Sequence, residues 1–264
     1  MDLLGFVLAA VVGLALGLLG GGGSILTVPI LVYALGFAPK TAIAMSLPIV
    51  GAISLAGGIG HWRAGNVRLA STLAFGLIAM AGAFAGARLG GLLSGAAQLV
   101  ILAAVMLAAA VSMFRGRALT GLDTHIGRRG ATALLLVTGA AVGVLAGLVG
   151  IGGGFLIVPA LVLLAGLPMN QAVGTSLVVI AMNSAAGTLG HLGQVSLPWG
   201  FMAGFVAVAI AGVLMGAALV KHVPHYRLQR TFAGFLVAVG LFILYQNRAA
   251  FGAGPVPAAV VDAR

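Results

Sequence analysis

Four consecutive glycines, Gly20 to Gly23 in GLLGGGGSILTVP, interrupt a long apolar stretch, and the pattern returns in the second half of the chain as Gly150, Gly152, Gly153 and Gly154 in GLVGIGGGFLIVP. A proline follows each copy at the same offset, Pro29 and Pro159. The chain is therefore an internal duplication with a broken helix in each half. In a membrane, interrupted apolar segments at corresponding positions of two halves point to a binding site.

The sequence around the breaks identifies the solvent. Of 264 residues, 62% are hydrophobic and 6% charged, and the mean hydropathy is +1.24, a balance that excludes a soluble domain. Apolar runs fall at 3–19, 24–36, 41–60, 69–87 and 97–114, then at 131–149, 154–166, 170–190, 199–220 and 230–246. Runs near twenty residues without strict alternation predict helices over outer-membrane strands. The first run has no basic n-region, carries Asp2 and passes into the glycine motif without a cleavage site, so it reads as a membrane segment of the mature protein. The expected fold is an all-α polytopic membrane protein of 8–10 membrane segments. One domain covers 1–246: repeat 1 (1–114) and repeat 2 (131–246), joined by a basic cytoplasmic loop (115–130) and followed by a disordered tail (247–264).

Residues 3–36 as one helix would be about 51 Å long, against a hydrocarbon core of about 30 Å, and 24–36 alone would reach only about 20 Å. The break is thus expected inside the bilayer. Five segments per half, or a glycine-broken hairpin plus three spans, makes the two repeats inverted. Ten crossings with the N-terminus outside put Arg63, Arg68, Arg115, Arg117, Arg128, Arg129, Lys221, Arg227 and Arg230 in the cytoplasm and leave Lys40, Arg88, Arg248 and Arg264 outside. That asymmetry follows the positive-inside rule. The net charge of +10 then reports orientation in a lipid bilayer; the basic residues form no dense patch, so nucleic acid is not an expected partner.

Glycine tolerates unwound backbone, and helices starting near Ser24 and Gly154 would turn unpaired N–H groups toward the protein centre, where an anion fits. The plainer alternative is that the glycines only let helices approach closely. The three carboxylates, Asp2, Asp123 and Asp262, lie in terminal or loop sequence, which disfavours a cation pump or a carboxylate proton relay. The spans carry instead Ser46 and Ser54, matched at the repeat offset by Ser176 and Ser184, with Asn183 beside the last. Eight residues of separation put each serine pair on nearly one helix face. Their hydroxyls can donate to sulfonate or carboxylate oxygens, or to their own helix backbone.

His61 in SLAGGIGHW and His191 in SAAGTLGHL close the duplicated pattern. Each is a candidate for gating, anion contact or proton coupling, or for a helix-end bond to terminal carbonyls. The candidate substrate-binding set is Gly20, Gly21, Gly22, Gly23, Ser24, Ser46, Ser54, Gly150, Gly152, Gly153, Gly154, Ser176, Asn183 and Ser184. With no cysteine, no HExxH pair and no acid in the spans, no enzyme activity, cofactor or metal is expected.

The two motif copies, Gly17, Gly20, Gly22 and Gly23 with Pro29, and Gly147, Gly150, Gly152, Gly153 and Gly154 with Pro159, each lead through a serine-bearing helix to a glycine and a histidine. They resemble the sulfite exporter TauE/SafE family of bacterial and archaeal membrane proteins, over residues 1 to about 246. The resemblance implies a secondary transporter, commonly an exporter, of small sulfur-containing anions such as sulfite or sulfoacetate across the cytoplasmic (inner) membrane. Proton coupling and a homo-oligomer are compatible with it. A passive anion channel and a structural subunit without transport are the alternatives. The repeats part after the histidines, where GHWRAGNV becomes GHLGQV, two residues shorter, so the two mouths of a pathway are expected to differ.

Overall fold

The computed structural model describes residues 3–114, 128–163, 165–219 and 225–248. Most of the basic loop and most of the C-terminal tail expected from the sequence, and all three carboxylates, lie outside the described residues. The elements are α1 (Leu3–Leu19), a composite α2 over residues 20–34, α3 (Pro39–Arg63), α4 (Leu69–Leu92), α5 (Gly95–Phe114), α6 (Arg128–Val149), α7 (Gly154–Leu163), α8 (Met169–His191), α9 (Trp199–Leu219) and α10 (His225–Gln246). No strand occurs among the described residues. Each apolar run of the sequence carries a helix, and α6 and α10 begin ahead of their runs, at Arg128 and His225.

Pro39–Arg63, Phe75–Leu92, Asn170–His191 and Trp199–Leu219 are long and apolar enough to cross a bilayer, and shorter apolar helices accompany them. The chain is a multi-pass membrane protein. Its helix ends have local causes. Pro39 opens α3, where a missing N–H costs nothing. Gly65 (φ 72°) and Gly193 (φ 82°) follow α3 and α8 in the left-handed region. The second repeat is shortened between its histidine and this glycine, so both helices still end on a glycine turn.

Two helix crossings place four glycines each in near backbone contact. On α1 and α9, Gly13 faces Ala209 O, Gly17 faces Val213 O, and a Cβ at Gly212 would stand 2.6 Å from Ala10 O. On α4 and α6, Gly143 faces Ala79 O, Gly147 faces Ala83 O, and a Cβ at Gly82 would stand 2.6 Å from Ala140 O. Each residue of one crossing maps onto the other at the repeat offset. The first helix of each half therefore packs in the same way on the fourth helix of the other. Small residues are what let membrane helices approach this closely. Gly17 and Gly147, the first glycines of the duplicated motif, thus serve packing.

At the centre α3 and α8 cross. Gly51 lies against Ser184, Gly58 against Val178 and Gly187 against Leu47, so position advances along one helix as it falls along the other. These corresponding helices are antiparallel. Around them Val12, Leu16, Ile49, Val50, Ile53, Phe75, Val179, Ile180 and Phe205 are part of a buried apolar core.

Candidate functional site

The two breaks have different backbones. After α6, the chain turns through Gly150 (φ 76°), Gly152 (φ 65°) and Gly153 (φ 77°), conformations that L side chains rarely adopt. A regular helix restarts at Gly154, the position expected from the sequence. In the first half Gly20–Leu26 is instead a 3-10 helix, followed by one α-turn, Thr27–Pro29, and a π-helical turn, Ile30–Ala34. An apolar helical segment does run over Gly23–Ala34, as the sequence leads one to expect near Ser24, but it opens in 3-10 form and its α-turn begins only at Thr27. Equal motifs gave unequal breaks because Ile151 replaces a glycine in the second copy and is fully buried: anchoring that side chain confines the turn to the glycines around it.

The broken end of α6 shows where its backbone groups go. A helix C-terminus leaves four carbonyls without intrahelical donors. Gly150 N donates to Ala146 O at 2.9 Å, His191 Nε2 lies 3.1 Å from Gly147 O, and Gln98 Nε2 donates to Leu148 O at 2.9 Å. A carbonyl only accepts, so His191 carries a proton on Nε2. Farther along the turn, Ser46 Oγ stands 2.6 Å from Gly150 O and 2.7 Å from Ile43 O. His191 therefore bonds one terminal carbonyl, of α6 and not of its own helix.

Ser176 Oγ donates to Val173 O at 2.8 Å; Ser46 Oγ lies 2.7 Å from the corresponding Ile43 O, its single proton shared between that carbonyl and Gly150 O. These two hydroxyls are engaged by backbone. Ser54 and Ser184 differ: their hydroxyls are buried and have no hydrogen-bond partner in the protein, and neither amide atom of Asn183 has one. All three residues lie on α3 and α8, the crossing helices, where Ser184 Oγ would be 3.4 Å from a Cβ at Gly152. Thr27 Oγ1, just beyond the first break, is likewise buried and unpartnered. The broken segments themselves meet, α7 packing against Gly20–Leu26, which also touches α8. Gly23 and Ser24 are buried there.

The histidines lie at opposite ends of the molecule. His61 is near the α3–α4 loop, which is tied to the start of α8 by Arg68 N to Thr175 Oγ1 (3.0 Å), Arg68 Nε to Gln171 Oε1 (2.8 Å) and Asn170 Nδ2 to Asn66 Oδ1 (3.3 Å). Its Nδ1 is buried without a partner. His191 lines a pocket of about 260 Å³ at the other end with Lys40, Gln98 and Gln194. The two ends therefore carry different side chains.

Sequence reasoning missed Gln98, Thr27 and Gln194. Gln98 has no counterpart at the repeat offset, where Leu228 stands, so a search for duplicated polar residues passes over it. Thr27 is paired by the same offset with Ile157. No group of metal-ligating side chains occurs among the described residues.

A helical multi-pass protein with an interrupted apolar segment at corresponding positions of its two halves has the build of a membrane transporter. The model of the family described as sulfite exporter TauE/SafE matches residues 5–243, and the chain belongs to that family. A protein of Xylella fastidiosa (strain 9a5c), named "Probable membrane transporter protein", is 34% identical over 247 residues, covering 89% of this chain and 92% of its own. "Probable membrane transporter protein YdhB" of Bacillus subtilis (strain 168) is 25% identical, covering 88% and 96%. "Probable membrane transporter protein MJ0441" of Methanocaldococcus jannaschii is 25% identical, covering 90% and 94%. No solved structure matches the chain.

Proposed function

We propose that the protein is a secondary transporter of small sulfur-containing anions, such as sulfite or organosulfonates, exporting them across the bacterial cytoplasmic membrane by alternating access between two inverted repeats. One observation carries this reading. Five side-chain atoms, Thr27 Oγ1, Ser54 Oγ, Ser184 Oγ and both amide atoms of Asn183, are buried without protein partners. Leaving a buried polar group unpaired costs about 1–3 kcal/mol, so unpartnered buried donors and acceptors on the helices of a transporter suit a polar cargo.

The cargo's charge follows from what surrounds it. The chain's three carboxylates, Asp2, Asp123 and Asp262, fall outside its apolar runs, which disfavours a cation, and hydroxyl and amide donors suit oxyanion oxygens. Lys40, Arg63, Arg68, Arg88, Arg230 and Arg248 are all exposed, so no basic side chain whose burial is described sits at the centre. An anion held only by neutral donors binds loosely enough to leave on either side. The reciprocal crossings, α1 on α9 and α6 on α4, with antiparallel α3 and α8, support inverted repeats that rock against each other. His61 and His191, at opposite ends, are the groups we propose for gating or proton coupling.

The test is flux into proteoliposomes across a panel of sulfite, thiosulfate, sulfate, taurine, sulfoacetate and plain carboxylates. Accumulation of one sulfur anion against its own gradient, driven by an imposed proton gradient, is expected. Flux that only equilibrates would make the protein a channel. Absence of flux for every sulfur anion would sink the substrate assignment.

A further inference from the structure

The pocket beside the α8 C-terminus is not used by the central site. Its volume of about 260 Å³ lies below the roughly 300–1,000 Å³ of pockets that hold drug-sized molecules. Four element ends build it: Lys40 from the start of α3, Gly90 and Gly91 from the end of α4, Gln98 from the start of α5, and His191 from the end of α8, with Gln194 just beyond. The glycines give it room. A Cβ at Gly90 would stand 2.6 Å from Gln98 Nε2, and one at Gly91 3.0 Å from Gln194 Oε1.

The hydrogen-bonding inventory of the wall is specific. Lys40 is its one charged residue, with Nζ 3.2 Å from Gly91 O and two further N–H donors to spare. The other donors are committed. Gln98 Nε2 serves Leu148 O, His191 Nε2 serves Gly147 O, and Gln194 Nε2 serves Gly190 O at 2.8 Å and Ala87 O at 3.3 Å. Two amide acceptors remain, Gln194 Oε1 beside the His191 ring and Gln98 Oε1, and only the second is buried without a partner. Gln98 is 1% exposed, and with its nitrogen turned to Leu148 O its Oε1 is buried with no partner.

A lysine ammonium beside a buried acceptor that lacks a donor selects for two properties at once. An anion with no hydrogen of its own answers Lys40 and leaves Gln98 Oε1 unpaired. A neutral hydroxyl compound answers Gln98 and leaves the ammonium without a counter-charge. We propose that this pocket is a second ligand site, at the mouth of the protein, for a small monoanion that carries its own O–H or N–H donor, held by Lys40 and Gln98. The charge of that ligand rests on the reading of the protein as an anion transporter. The site also adjoins the break: Gln98 and His191 hold the last carbonyls of α6, so an occupant sits against the turn that leads to Gly150.

Two sulfonates of nearly equal size separate the two requirements, hydroxymethanesulfonate with an O–H and ethanesulfonate with a methyl in its place. Each is titrated calorimetrically into the purified full-length protein in lipid-free detergent. The hydroxylated anion should bind about tenfold more tightly, the effect of pairing one buried acceptor. Lys40→Gln, a change at an exposed residue, should weaken both at least fivefold, and Gln98→Leu should erase the difference between them. Equal affinities in the wild type, no measurable binding of either, or a Lys40→Gln variant that binds both as the wild type does would each overturn the site. Glycerol phosphate is the third titrant: if it binds more tightly than both sulfonates, the pocket takes a lipid headgroup and the proposal fails. Loss of the central reading looks different, because flux would be absent while these titrations still saturated.

Discussion

Ser46 on α3 and Gly150 at the break after α6 are joined by a hydrogen bond of 2.6 Å across 104 residues of chain. The hydroxyl supplies a donor to a carbonyl at the point where the helix ends, and so ties a helix of the first repeat to the unwound turn of the second. The same bond separates two kinds of serine in this protein: those that hold backbone, and those whose hydroxyls have no protein partner.

That division predicts opposite outcomes for alanine substitutions. Ser46→Ala leaves Gly150 O short of a donor and should cost about 1–3 kcal/mol of stability. Ser54→Ala and Ser184→Ala delete buried atoms without a protein partner and should leave the ligand-free protein no less stable than the wild type, gaining up to about 1–3 kcal/mol, while reducing any thermal shift caused by a bound anion. Thermal denaturation in detergent, with and without ligand, reads both. A Ser184→Ala variant as unstable as Ser46→Ala would mean that the hydroxyl is structural.

Gly152 is where the second break meets the central crossing. A Cβ there would stand 3.0 Å from Ile180 Cγ2 and 3.1 Å from Val50 Cγ1, at a φ of 65°. The left-handed conformation alone costs a side-chain-bearing residue about 1–2 kcal/mol. Gly152→Val should insert in the membrane but lose flux, as should Gly22→Val in the first break. Wild-type flux in both would place the cargo elsewhere.

The packing glycines should fail in matched pairs. Gly13→Leu and Gly143→Leu drive a side chain into the carbonyls of Ala209 and Ala79 respectively, and each should cut the yield of folded protein to a similar, small fraction. Gly60→Leu and Gly234→Leu, with nothing within 4 Å of an added Cβ, should leave yield unchanged. Size-exclusion profiles of the four variants are the measurement.

His191 has a structural duty that must be separated from any proton traffic. His191→Gln keeps an N–H for Gly147 O, whereas His191→Leu removes the donor from a carbonyl now 3.1 Å from Nε2 and should lose about 1–3 kcal/mol. If the ring also carries protons, the pH profile of flux in His191→Gln should flatten while its melting temperature stays near the wild type's. An unchanged profile would leave His191 as a cap alone.

Much of this was legible along the chain. The ten apolar runs, the duplication with its constant offset, the return of helix at Gly154 and the burial of Ser46, Ser54, Ser176, Asn183 and Ser184 all follow from hydrophobic periodicity and from glycine's backbone freedom, which are local properties. The inequality of the two breaks was less legible: a 3-10 helix and a left-handed turn are both open to glycine-rich backbone, and the choice is made by what the intervening side chain, Ile151, is buried against.

Identity and spacing determined that the chain is a helical membrane protein of two repeats with a break in each, because lipid forces every apolar run to satisfy its own backbone within a helix. Which polar groups hold that backbone and which are left without partners was decided only by tertiary structure. Gln98 reaches Leu148 O from 50 residues away, His191 reaches Gly147 O from 44, and Ser46 reaches Gly150 O from 104. Those bonds depend on distances that arise when α3, α5 and α8 close around the end of α6, and linear spacing does not encode them.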